Sequence, residues 1–281
     1  MSNEDKLLTE ALVKIKKDYE KAIISGGTDE THSLIRSKKL IEHLHEYIKE
    51  RLIANGVHKL RIYPPIGKSS PELKMSGFLK EKDQDISVLP ELPKEEIIKE
   101  GVLIGKKDKV SKDIMNKSIS INIRSQLSSL SKNFDTLFER TFAEPLNLHL
   151  RAPKLIMGEV YMVPLVAYDP DAIKEKKVSW REILPIKYIP AFSELNNRLS
   201  DEIHEYKYER VCLLIVDFRK DPPEIVNSAK TFVDNKLIKE DEMDSFSMNS
   251  LTMENFIHDI LNIYEKRHGS IEPLKKASLF F

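Results

Sequence analysis

Apolar residues recur at helical spacing at the start of the chain. Leu7, Leu8, Ala11, Leu12, Ile15, Tyr19 and Ile23 predict an amphipathic helix from about Glu4 to Ile24. Gly26 and Gly27 end it, and Thr28-Asp29 opens the next segment. Leu34, Leu40, Ile41, Leu44, Ile48, Leu52 and Ile53 then mark a second helix, from about Ser33 to a stop at Asn55-Gly56. Together they predict an N-terminal helical hairpin over residues 1–56, capping one side of a core formed by residues 57–281.

The core reads as alternating strands and helices. His58–Tyr63 is a short strand closed by Pro64-Pro65. Gly77–Leu89 reads as two strands joined by a charged turn near Glu81–Asp83. The other reading is one strand with Lys80, Lys82 and Gln84 on one face and Glu81, Asp83 and Asp85 on the other. Residues Glu91 to Lys117 form a charged insertion with a weak strand at Val102–Ile104. The strand Ile119–Ile123 leads into a long helix with Leu127, Leu130, Phe134, Leu137 and Phe138 on its core face, and this helix is expected to break at Pro145. A strongly apolar strand, Leu155–Val166, follows. After a linker come the strand Val211–Phe218 and a last helix, about Leu251 to Arg267, stopped at Gly269. The predicted fold is α/β: a mixed central sheet flanked by helices, with the helical hairpin at its N-terminal end.

Composition narrows this picture. The 281 residues carry 41% hydrophobic content, enough for one sizeable core, and 45 basic residues balance 45 acidic ones. Neutrality argues against a polybasic binder, but nucleic-acid binding depends on local basic faces rather than on the sum. The single cysteine, Cys212, sits inside Val211–Val216 and reads as a small buried hydrophobe, with no disulfide and no cysteine zinc site available. No apolar run reaches the length of a bilayer span, and the charged start of the chain has no signal-peptide core. A cytoplasmic protein without a membrane partner is expected.

The candidate chemistry is acidic and basic rather than nucleophilic. Gly67-Lys68-Ser69 imitates the end of a phosphate-binding loop without its upstream glycine. His43 and His45 point in different directions from one helix, and there is no HExxH, serine elbow or dinucleotide turn. Asp83 and Asp85, flanked by Lys80 and Lys82, supply carboxylates for a divalent metal and a cation for developing charge; ordinary turn ion pairs are the other reading. Arg124, Ser128 and Lys132 recur every four residues at the start of the long helix, where they suit phosphates, with Gln126 near enough to read a base edge. A solvated helix face is the alternative. Glu159, in the middle of an apolar strand, needs a partner: a salt bridge to Arg151 or Lys154, or a metal. Glu139 and Glu144 lie on or near the long helix, and Asp217 with Arg219 ends the last strand.

INIRSQLSSLSKNFDTLFERTFAEPLNLHLRAPKLIMGEVYMVPL, with KEKDQDISVLP before it and ERVCLLIVDFR after it, resembles type II restriction endonucleases of the PD-(D/E)XK class over roughly Gly77 to Arg219. The resemblance rests on the order of elements. It implies a homodimer that cuts double-stranded DNA at a short palindrome with Mg²⁺, paired with a cognate DNA methyltransferase. Asp85 takes the first acid position. At the second, Asn122-Ile123-Arg124 stands where an acid and a lysine are expected. Glu72-Leu73-Lys74 fits the tripeptide but precedes Asp85, and Glu159-Val160-Tyr161 supplies the acid without the lysine. Lys82 or Arg124 would then replace the usual lysine. The expected roles are Lys82 and Asp85 in catalysis, Asp83, Asp85 and Glu159 on the metal, and Arg124, Gln126 and Lys132 on DNA. Two other readings are a non-catalytic nucleic-acid-binding or defence-complex subunit and a metabolic α/β enzyme.

Overall fold

The computed structural model describes residues 3–128, 130–182, 184–242 and 251–277. Its centre is a six-stranded mixed sheet. In chain order the elements that matter here are α1 (Asn3–Arg36), α2 (Glu42–Ala54), β1 (Ile62–Tyr63), β2 (Leu73–Ser76), β3 (Glu81–Gln84), β4 (Ile86–Val88), β5 (Ile119–Ser125), α3 (Leu130–His149), β6 (Ile156–Pro164), α4 (Tyr188–Leu195), β7 (Arg210–Asp217), β8 (Glu224–Val226) and α5 (Phe256–His268). The sheet order is β1-β4-β5-β6-β7-β8. The three central neighbours β5, β6 and β7 run parallel, with α3 as the crossover from β5 to β6. β1, β4 and β8 pair antiparallel. The strands β2 and β3 form a separate ribbon leading into β4.

Strand alternation sorts the side chains onto two faces. Ile119, Ile121 and Ile123 of β5, Val160 and Met162 of β6, and Cys212, Leu214 and Val216 of β7 join one core cluster with α1, α2 and α5. Met157, Tyr161 and Val163 of β6 and Val211, Leu213 and Ile215 of β7 join a second cluster with α3 and α4. On β5 this second face is polar: Ser120, Asn122 and Arg124 alternate with the isoleucines. An apolar sheet thus carries a polar stripe beneath α3. At Gly158 an added Cβ would lie 2.7 Å from Ile260 Cδ1, so β6 needs glycine where α5 approaches.

Several expectations need correction. Gly26-Gly27 kinks α1 rather than ending it, with Gly27 at φ 61°, because its Cα approaches the Ile173 carbonyl and a Cβ there would lie 2.7 Å from that oxygen. The second helix starts at Glu42 instead of Ser33. The turn of the β2–β3 ribbon falls at residues 77–80 rather than at Glu81–Asp83, because Asn147 binds it: Oδ1 accepts from Leu79 and Lys80 N–H at 2.8 and 3.0 Å. Val102–Ile104 is a turn, and the charged insertion holds a small ribbon, Glu96–Ile97 with Lys107–Asp108, and a short helix, Lys112–Asn116. Buried Arg151 anchors that insertion through Asp108 and Glu96, both at 2.5 Å.

Pro145 does not break the long helix, which runs on to His149. Proline deprives the carbonyl four residues back, that of Thr141, of its helical donor. The Tyr208 hydroxyl supplies one instead, donating to Thr141 O at 2.8 Å. The last helix begins at Phe256 and is closed, as expected, by Gly269 in the left-handed conformation.

Candidate active site

The polar stripe is built across three strands. Ile86 pairs with Ile121, so Asp85, one residue earlier, stands beside Asn122, and Asn122 pairs with Glu159 on β6. Asp85 Oδ2 accepts from Ile123 N–H at 2.8 Å. Arg124, two residues beyond Asn122, falls on the same face of β5. Its Nη1 donates to Glu159 Oε1 at 2.7 Å and its Nη2 to Glu144 Oε2 at 2.5 Å. Glu144 comes down from α3, and Lys82 Nζ of β3 lies 3.2 Å from the same Oε2. Glu144 Oε1 accepts from Asn122 Nδ2 at 3.3 Å and from Gln84 Nε2 at 3.4 Å. Ser120 in turn holds Gln84 Oε1 at 2.5 Å.

Lys82, Asp85, Asn122, Arg124 and Glu144 line a cleft of about 450 Å³ between α3, the β2–β3 ribbon and the turn joining α1 to α2. Lys38 from that turn reaches in, with Nζ 3.1 Å from Asp85 Oδ1 and 2.5 Å from Glu72 Oε1. Arg140 of α3 completes the cationic rim.

Burial sets the electrostatics at the back wall. Glu159 is fully buried, and its Oε2 has no hydrogen-bond partner among the described residues. Desolvation pushes its carboxyl up to about 8; Arg124 opposes that shift, while the neighbouring Glu144 and Asp85 add to it. Glu159 is therefore mainly protonated at neutral pH. Burial disfavours the Arg124 charge, yet Glu159, Tyr208 and Glu144 together hold its pKa well above the usual value. The cleft itself presents Lys38, Lys82, Arg124 and Arg140 against Asp83, Asp85 and Glu144.

The structure brings together part of the expected set. Lys82, Asp85 and Arg124 line the cleft, and Asp83 stands at its edge with a carboxylate oxygen 4.0 Å from Lys74 Nζ. Glu159 lies behind Arg124, and its partner is Arg124 rather than Arg151 or Lys154. Among the described residues no three His, Cys, Asp or Glu side chains are arranged to hold a metal, so Asp83, Asp85 and Glu159 do not form a common ligand set. Arg124 is a strand residue and shares no helix face with Ser128 and Lys132, because α3 begins only at Leu130. Gln126 is buried, and its Oε1 accepts from Tyr188 and Tyr161 hydroxyls at 2.5 and 3.3 Å, which ties it to the core instead of to a base edge. Lys132 falls in the first turn of α3, and its side chain lies outside the described residues. Gly67-Lys68-Ser69 is pinned to α2, with the buried Lys49 donating to Lys68 O at 2.6 Å. Asp217 is held by Arg219 at 2.8 Å and belongs to no acidic cluster.

Sequence spacing gave Glu144 no partner and did not single out Lys38. Glu144 looked like a residue at a helix break, and only the continuation of α3 through Pro145 aims it at Arg124. Lys38 belongs to a hairpin with no predicted link to the sheet. Chemically, Asp85 and Glu144 bring carboxylate oxygens, the donor type that a hard cation such as Mg²⁺ takes, to the lining of one cleft. No family model matches the chain, no curated protein matches it, and no solved structure matches it.

Proposed function

We propose that this cleft is a nuclease site and that the protein cleaves double-stranded DNA in the manner of a type II restriction endonuclease. One observation carries the reading: Glu144 meets Lys82 and Arg124, and Asp85 meets Lys38, in one cleft over the polar face of an otherwise apolar sheet. A buried polar cluster of this size costs stability unless its groups are matched, and a groove left open beside it serves chemistry better than packing.

Asp85 and Glu144 would hold Mg²⁺. When bound, that ion polarises the phosphoryl oxygen and makes water nucleophilic near neutral pH. Arg124 fixes Glu144 by its 2.5 Å contact. Lys82, a third exposed, places its ammonium on the cleft wall, where it can offset negative charge building on the phosphoryl group. Asn122 orients the second Glu144 oxygen. The homodimer, the short palindromic target and the cognate methyltransferase belong to the same proposal, as does a cytoplasmic setting.

The non-catalytic reading has an observation of its own. Each cleft carboxylate already meets a lysine or arginine, so the network is closed as it stands. Incubation with unmethylated plasmid in Mg²⁺, repeated in EDTA, separates the two. Discrete EDTA-sensitive fragments are expected, with Asp85→Ala and Glu144→Gln each slowing cleavage by about 100-fold or more while DNA retention in gels persists. Retention without cutting would favour the binding subunit. Full activity in both variants would remove this cleft from the reaction.

A further inference from the structure

Asp85 has one oxygen closed by the backbone and one that faces a side chain from another part of the fold. Oδ2 accepts from Ile123 N–H at 2.8 Å, whereas Oδ1 meets Lys38 Nζ at 3.1 Å. Lys38 occupies the turn between α1 and α2 at φ 60°, a left-handed conformation that crowds the Cβ of a lysine. That backbone position carries the side chain onto the sheet edge, where it spans Asp85 and Glu72. It lines the cleft and also an adjoining cavity of about 540 Å³.

The four cations of the cleft differ in freedom, and Arg140 stands exposed on α3 at its rim. Arg124 is held between Glu144 and Glu159, and Lys82 by Glu144. The Lys38 side chain is 47% exposed and has two alternative partners. Burial weakens its charge, but Asp85 and Glu72 more than restore it, so it stays cationic. A divalent ion approaching Asp85 Oδ1 must take the place of this ammonium. Glu72 lies on the other side to receive it, and so would an anionic oxygen in the cleft. A flexible four-carbon stem suits such a transfer better than a guanidinium fork.

We propose that Lys38 is a substrate-facing charge of the cleft: the counter-ion of Asp85 in the free protein, passing to the scissile phosphate when DNA enters. The inference rests on the nuclease reading and extends it, because it makes the N-terminal hairpin a part of the site. Lys38→Met is expected to cut plasmid about 100-fold more slowly in single turnover, with Lys38→Arg recovering part of the loss. A second readout needs no cleavage. Mn²⁺, titrated into DNA-free protein and followed by electron paramagnetic resonance, is expected to bind Lys38→Met roughly three- to tenfold more tightly, since no ammonium competes for Asp85. Lys39→Met, at the exposed neighbouring lysine, should match the wild type in both assays. Lys38→Gln replaces Lys38→Met if the latter melts differently from the wild type. Cleavage by Lys38→Met within about threefold of an active wild type, or an unchanged Mn²⁺ affinity, overturns the role of Lys38 and leaves the nuclease reading standing. A wild type that cuts no DNA overturns the nuclease reading, and this role with it.

Discussion

At the scale of single residues, Glu159 is the most consequential. It is an acid in the middle of a strand whose other residues are all buried, and its cationic partner, Arg124, is shared with Glu144. The sign of its effect on stability follows from the direction of its shift. An unfolded glutamate titrates near 4.5, the folded Glu159 near 8. Between those values the folded chain holds a proton that the unfolded chain has released, so this residue's contribution is complete below about pH 4.5 and is lost as pH rises towards 8. Urea midpoints at pH 5 and pH 8 should therefore differ more for the wild type than for Glu159→Gln, which carries no titrating group. An identical pH dependence in the two proteins would mean that Glu159 is ionised throughout. The sequence marked this acid as in need of a partner, but spacing favoured Arg151 or Lys154, since neither the pairing of β5 with β6 nor the register Asn122–Glu159 is written locally.

Among elements, α3 shows how a local rule yields to a tertiary contact. Pro145 predicts a break, and by itself it would leave the Thr141 carbonyl unmet inside the protein. Tyr208, from the segment entering β7, meets it at 2.8 Å and lets the helix continue. Glu144 and Asn147 owe their positions to that continuation: one joins the cleft, the other ties down the β2–β3 turn. Tyr208→Phe is expected to cost about 1–2 kcal/mol, or roughly 2–4 °C in melting temperature. Pro145→Ala restores an N–H to the same carbonyl, so Tyr208→Phe should cost about 1 kcal/mol less in that background. Additive effects of the two substitutions in a thermal double-mutant cycle would show that the Tyr208 hydroxyl does not stand in for the missing helical bond. The short insertion 91–117 teaches the same lesson from the other side. Its charges looked like a solvated excursion until Arg151, buried beneath, recruited Asp108 and Glu96.

For the whole molecule, the hairpin and the sheet are one body of packing. Leu12, Ile15, Tyr19, Leu44, Ile48 and Leu52 share a cluster with Ile86, Ile121, Val160 and Leu214. The boundary near residue 56 is thus a change of secondary structure that the hydrophobic core crosses. Because the core holds α1 and α2 against β4 and β5, the turn between them can deliver Lys38 to Asp85. A single cooperative unfolding transition is expected. Trp180 touches both clusters and packs against Tyr168 at 4.2 Å, so its fluorescence reports the core, while far-UV ellipticity reports the long helices. The two probes should give coincident urea curves; loss of helical signal ahead of Trp180 emission would mean that the hairpin unfolds by itself.

Periodicity was enough to reveal the long helices, the long buried strands and their α/β class, because each depends on contacts between near neighbours that repeat with a fixed spacing, whereas α4 lies in what read as a linker. It also flagged Asp85, Lys82 and Arg124 as charges in need of a purpose. Which charges meet was settled only by strand order, register and the path of α3, since these join residues as distant as Lys38, Asp85, Arg124 and Glu144. Pairing of that kind is decided by the burial of two sheet faces at once, a condition no local stretch of chain can express.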